Sequence, residues 1–187
     1  MKRLVVLALL CGAPPTSAAF AQQTFTLLAT GGQSLKTWHG QADAQSLSFE
    51  WTRSHSKRTE LGVAVAPYFL RQPRSWFGDQ FGDGDENVRA LSASFVARHH
   101  FGSHNVRPYV ELLIGPMWAE KQVPASTSRF NFITQPGFGI TFARRGRIAP
   151  TLGYRFSHLS NGGYSPRNPG INVNSVVAGL RFASSSR

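Results

Sequence analysis

Cysteine is almost missing from this 187-residue sequence: the single one, Cys11, lies in the first segment of the chain. Beyond that segment a disulfide framework and thiol chemistry are excluded. Acidic residues are also scarce, nine against 20 lysines and arginines, and none occurs after Glu120. The last three predicted strands therefore have no carboxylate of their own. After residue 21 there is no run of about 18 apolar residues, which excludes a membrane-spanning helix in that stretch. The mean hydropathy of −0.20 looks ordinary for a soluble protein. It is equally what a transmembrane β-barrel gives, because lipid-facing and lumen-facing residues alternate and average out.

The chain begins like a secretory signal. Lys2 and Arg3 form a charged start, residues 4–10 an apolar core, and Ala19-Phe20-Ala21 an A-x-A cleavage site. This predicts a signal peptide over 1–21 and a mature chain from Gln22. Leu10, ahead of Cys11, is not the small residue a lipoprotein signal requires. The formal net charge of +11 would suit nucleic acid, but an exported protein rarely meets it. An anionic membrane surface, such as phosphorylated lipopolysaccharide, is the partner the charge predicts.

What the sequence has in abundance is alternation. Between residues 129 and 144 the even positions read Phe130, Phe132, Thr134, Pro136, Phe138, Ile140 and Phe142. The odd positions are small and mostly polar. A period of two sustained for more than ten residues is a strand long enough to cross a bilayer. Weaker versions occur over 24–30, 46–53, 60–70, 90–101, 107–118, 148–160 and 171–182. The connections alternate long and short, as in outer-membrane barrels with short periplasmic turns and longer outer loops. The predicted fold is all-β: an eight-stranded antiparallel transmembrane β-barrel over 22–187, with its long loops, including a Gly-, Asp- and Pro-rich mobile one at 72–87, outside the cell. A soluble sandwich or a periplasmic barrel is the alternative, and strand length, alternation and turn pattern together argue against it.

One constellation could carry chemistry. In the segment 148–160 the even positions form the apolar face, and His158 and Ser160 continue that face at its end. The i, i+2 spacing makes them neighbours on one side of a strand. A nucleophilic serine needs a base within reach and a third group to orient the base. Asn172 has the matching parity on the following strand. Taken alone, a His-x-Ser pair at this level usually marks only the membrane interface, where polar groups are tolerated.

The run Phe156-Ser157-His158-Leu159-Ser160-Asn161-Gly162-Gly163, followed by Asn168-Pro169-Gly170-Ile171-Asn172, resembles the signature of the PagL-type lipid A 3-O-deacylases. The resemblance implies an outer-membrane esterase that removes the acyl chain at position 3 of lipid A, with its site toward the outer leaflet. It implies Ser160 as nucleophile and His158 as base. Asn161, through its side-chain amide, and Gly163, through its backbone N–H, would form the oxyanion hole. The third triad position falls on Asn172, where the best-known members carry glutamate. That departure predicts a slower esterase, or one that recruits an outer-loop acid from Asp79, Asp83, Asp85, Glu86 or Glu120. No cofactor or metal is implied. His39, His55, His99, His100 and His104 are scattered and read as surface or interface residues. Trp38, Trp51, Trp76 and Trp118 read as membrane-belt or loop anchors. A homodimer is compatible with the sequence. Two other functions remain open: a non-catalytic barrel serving as adhesin or structural protein, and a weakened deacylase kept for lipopolysaccharide binding.

Overall fold

A computed structural model describes residues 22–35, 41–74, 84–102 and 105–184. The predicted signal peptide, Trp38, His39, Trp76, Asp79, Asp83 and His104 lie outside the described residues. Eight strands follow one another: β1 (Gln23–Ser34), β2 (Asp43–Ser54), β3 (Thr59–Pro73), β4 (Asp85–His100), β5 (Arg107–Ala119), β6 (Phe130–Thr141), β7 (Ile148–Ser160) and β8 (Ile171–Ala183). Each pairs antiparallel with its sequence neighbours. The sheet closes through β1 and β8, from Thr24 opposite Ala183 to Ser34 opposite Val173. Closure removes the unpaired strand edges, which an apolar membrane interior cannot satisfy.

Side chains sort by parity. Phe25, Phe49, Trp51, Phe69, Phe95, Trp118 and Phe138 are all exposed on the outer wall. A continuous apolar surface of this kind suits acyl chains rather than water. The inward positions fill the lumen in two tiers. Toward the long loops, Tyr68, Leu70, Val88, Met117, Ile133, Leu159 and Val173 form an apolar plug, joined by Val123 and Ala125 of the β5–β6 loop. Toward the short turns the filling is ionic. Arg98 meets Glu50 at 2.7 Å and Glu111 at 2.6 Å, and Arg155 meets the same two carboxylates at 2.6 and 2.7 Å. Arg181 is held by Glu60 at 2.6 Å. Such charges are tolerable inside only when paired and hydrogen-bonded to this degree.

Two expectations need correction. His100 is not a surface residue: it is buried in the lumen, 3.4 Å from Glu60. The stretch 72–87 is also not all loop. Gln72 pairs with Glu86 and Pro73 with Asp85, and an Arg71–Asp85 bond of 2.9 Å braces the same ends. The β3–β4 hairpin thus continues past the membrane. Beyond the bilayer neither face is apolar, so the alternation that reveals a strand fades while backbone pairing persists.

Candidate active site on the outer wall

The inward residues of β7 set the direction of the outward ones. Ser157 is buried and accepts a hydrogen bond from Gln135 Nε2 at 2.7 Å. Leu159 is buried in the apolar plug. With 157 and 159 fixed inside, the pleat turns His158 and Ser160 onto the outer wall, where both are half-buried. Their neighbours follow from register: Thr134 and Asn172 flank His158, and Phe132 lies opposite Ser160.

The register brings Asn172 Oδ1 to 2.7 Å from His158 Nδ1. An amide oxygen only accepts, so Nδ1 carries the proton in this arrangement. That leaves Nε2 as the ring's acceptor. Among the hydrogen bonds of the described residues, none joins Ser160 to His158. The two share a face and a strand, and catalytic contacts are often loose before substrate binds.

The loop 161–170 is organised by Asn161, whose side chain is almost wholly buried. Its Nδ2 donates to the Arg167 carbonyl at 2.8 Å, and its Oδ1 accepts from the Gly163 N–H at 2.9 Å. Its own backbone N–H donates to Asn168 Oδ1 at 2.9 Å. Both donors that the resemblance assigns to an oxyanion hole are therefore engaged within the loop. Gly163 adopts φ +83°, a left-handed conformation that favours glycine. Gly170, at φ +68°, lies against the imidazole: a Cβ there would come to 3.0 Å of His158 Cε1. The sequence signature contains Gly170 and Asn168 but does not say what either one does. Gly170 makes room for the base, and Asn168 anchors the chain just after the serine.

No outer-loop acid among the described residues reaches His158. Asp85 is bound to Arg71, Glu86 to Lys121 at 3.0 Å, and Glu120 accepts from the Arg89 N–H at 3.0 Å. All three lie on the β3–β4–β5 side, across the barrel from β8. Beside Ser160 the wall is aromatic instead. Phe132 packs on Phe130 at 5.2 Å and on Tyr164 at 6.1 Å between ring centroids, and Trp118 adjoins Phe130 at 6.3 Å. These rings make an apolar shelf next to the hydroxyl.

Comparison with known proteins gives one family match: the family described as lipid A 3-O-deacylase (PagL), over residues 14–181. No curated protein matches the sequence. Among solved structures, the outer-membrane enzyme PagL aligns with a TM-score of 0.54 at 21% identity, covering 87% of this chain and 99% of that one. Neisserial surface protein A gives 0.61 at 15% identity, covering 86% and 96%. OprG from Pseudomonas aeruginosa gives 0.56 at 10%, covering 89% and 97%. At these identities the structural likenesses establish the outer-membrane barrel fold.

Proposed function

Since the chain belongs to the PagL family of lipid A 3-O-deacylases, an integral outer-membrane β-barrel family, we propose that it hydrolyses the ester-linked acyl chain at position 3 of lipid A through Ser160 and His158. The observation that carries this reading is the His158–Asn172 pair on the lipid-facing wall, with Ser160 two residues further along the same face. Nε2 of His158 takes the Ser160 proton as Oγ attacks the ester carbonyl to give a tetrahedral intermediate. The imidazolium then returns the proton to the sugar oxygen as its bond to the carbonyl carbon breaks, leaving an acyl-enzyme. Water, deprotonated by the same imidazole, releases the 3-hydroxy fatty acid. Asn172 takes the place of the triad acid. It fixes the tautomer but adds no charge.

The tetrahedral intermediate needs donors, and one oxyanion donor is typically worth about 10² to 10³ in rate. Asn161 Nδ2 has a second N–H beyond the one given to Arg167, whereas the Gly163 N–H must exchange Asn161 Oδ1 for the oxyanion. Substrate binding would therefore be coupled to rearrangement of the 161–170 loop. The acyl chain would lie on the Trp118–Phe130–Phe132–Tyr164 shelf.

The test is expression in a host with suitable lipopolysaccharide, followed by mass spectrometry of lipid A. Loss of one acyl chain and release of a 3-hydroxy fatty acid are expected. Ser160→Ala and His158→Ala should each leave lipid A intact in a folded barrel. Unmodified lipid A alongside well-folded wild-type protein would overturn the proposal. The bonded state of Gly163, together with the missing carboxylate, favours one second reading: a weakened homologue that binds lipopolysaccharide. Substrate binding without turnover would mark that case.

A further inference from the structure

The positive balance of the sequence points to an anionic membrane surface, and the fold decides which one. At the end with the long loops, basic and acidic residues are interleaved. Arg71 bonds Asp85 and Lys121 bonds Glu86. In the lumen Arg98, Arg155 and Arg181 are matched by Glu50, Glu60 and Glu111. The excess collects at the opposite end, beside the start of β1, the end of β8 and the short turns. Arg53 closes the outer face of β2, and Lys57 and Arg58 form the β2–β3 turn. Arg107 opens β5, and Arg144, Arg145 and Arg147 occupy the β6–β7 turn. Except for the half-buried Arg107, these side chains are exposed. Glu60 is the one acid near this rim among the described residues. It is turned inward, where Arg181 holds both its oxygens at 2.6 and 2.7 Å. Arg53, Lys57, Arg58, Arg107, Arg144 and Arg145 make no ion pair among the described residues.

A ring of like charges repels itself and is sustained when a counter-surface lies level with it. The short-turn end is the periplasmic end, and the layer that encircles it is the inner leaflet of the outer membrane. Its phosphate headgroups suit arginine, whose planar fork binds phosphate oxygens in pairs. Position supports this: Arg53 follows Trp51 on the lipid-facing side of β2, and Trp51 is itself exposed on that wall, at the level where tryptophan marks a membrane interface. We propose that this rim binds the anionic headgroups of inner-leaflet phospholipids, so that the barrel is held by phospholipid at one end while its candidate site faces lipopolysaccharide at the other. The proposal does not depend on the enzyme being active.

The two described tryptophans provide the assay, because Trp51 reports the rim and Trp118 the opposite end. Full-length protein keeping only Trp51, or only Trp118, is reconstituted in vesicles of phosphatidylcholine mixed with phosphatidylglycerol. One lipid at a time is brominated near the headgroup end of its acyl chains. Each basic side chain at an anionic surface strengthens binding about five-fold. Quenching of Trp51 should therefore show phosphatidylglycerol favoured by about five-fold or more at low salt, with a clearly smaller preference at Trp118, where Arg129 is the one cation stacked on the ring. Raising salt to 0.5 M, about the regime where screening lengths fall to a few ångströms, should erase the preference without any substitution in the rim. Arg53→Gln, Lys57→Gln and Arg58→Gln combined should bring it near one, with folding checked by the gel shift between heated and unheated barrel. Equal quenching by both lipids at Trp51, equal preference at both ends, or a preference indifferent to salt and to the glutamines would overturn the proposal. So would equal quenching joined to retention of the protein on purified peptidoglycan sacculi, which would assign the rim to the cell wall.

Discussion

Replacing Asn172 by aspartate changes one atom type at the third triad position and leaves the geometry nearly untouched. The amide oxygen already sits 2.7 Å from His158 Nδ1, and an aspartate oxygen can occupy the same point. In serine proteases the reverse exchange, Asp to Asn, costs about 10⁴ in rate, largely through selection of the wrong tautomer. Here the amide oxygen rather than the nitrogen faces the ring, so the tautomer is already productive. The difference left is charge. A unit charge about 4 Å from the imidazolium is worth about 4 kcal/mol at an effective dielectric of ~20 and about 1 kcal/mol in water. Asn172 is exposed and His158 half-buried on the lipid-facing wall near the headgroup level, an environment between these two limits, which sets the gain at about 1 to 3 kcal/mol. Asn172→Asp should accordingly raise kcat about 5- to 150-fold. Asn172→Ala should lower it, since the ring loses its orienting acceptor. The assay is the initial rate of 3-hydroxy fatty acid release from purified lipid A in detergent micelles, with Ser160→Ala as the blank. An unchanged rate in Asn172→Asp, with a normal Ser160→Ala blank, would refute the reasoning: the 2.7 Å pair would then be packing and not part of the catalytic group.

Two further outcomes follow from the structure. Glu111 bridges Arg98 and Arg155, and Glu111→Gln would leave two buried guanidinium groups sharing Glu50 as their close carboxylate, with Glu60 at 3.8 Å from Arg98 alone. Breaking a buried pair of this kind costs about 3 to 5 kcal/mol, to be read from urea unfolding in lipid vesicles; a loss below about 1 kcal/mol would show that water screens the lumen. Gly170→Ala should reduce deacylation by at least about ten-fold while the barrel still folds. Its φ of +68° strains any other residue by about 1 to 3 kcal/mol, and the added methyl would press on the His158 ring. Retained wild-type activity in this variant would mean that the loop yields freely.

The strands were legible because a wall with lipid outside and packed side chains inside imposes a period of two, and β7 was predicted at its observed limits, Ile148–Ser160. Parity alone put His158 and Ser160 on the outer wall and matched Asn172 to them, since both rest on local geometry. The outer ends of β3 and β4 were hidden because pairing there continues without an apolar face. Partnerships that depend on the closed barrel were hidden as well. Glu50, Glu111, Arg98 and Arg155 come from four strands, and Glu50 meets Arg155 across 105 positions of sequence. His100 looked peripheral until closure carried it inside beside Glu60. The occupied state of Asn161 and Gly163 is likewise a property of the folded loop. A sequence read in order reveals what repeats along the chain. Where the charge gathers, and which donors are already taken, depends on atoms that meet only once the eighth strand has joined the first.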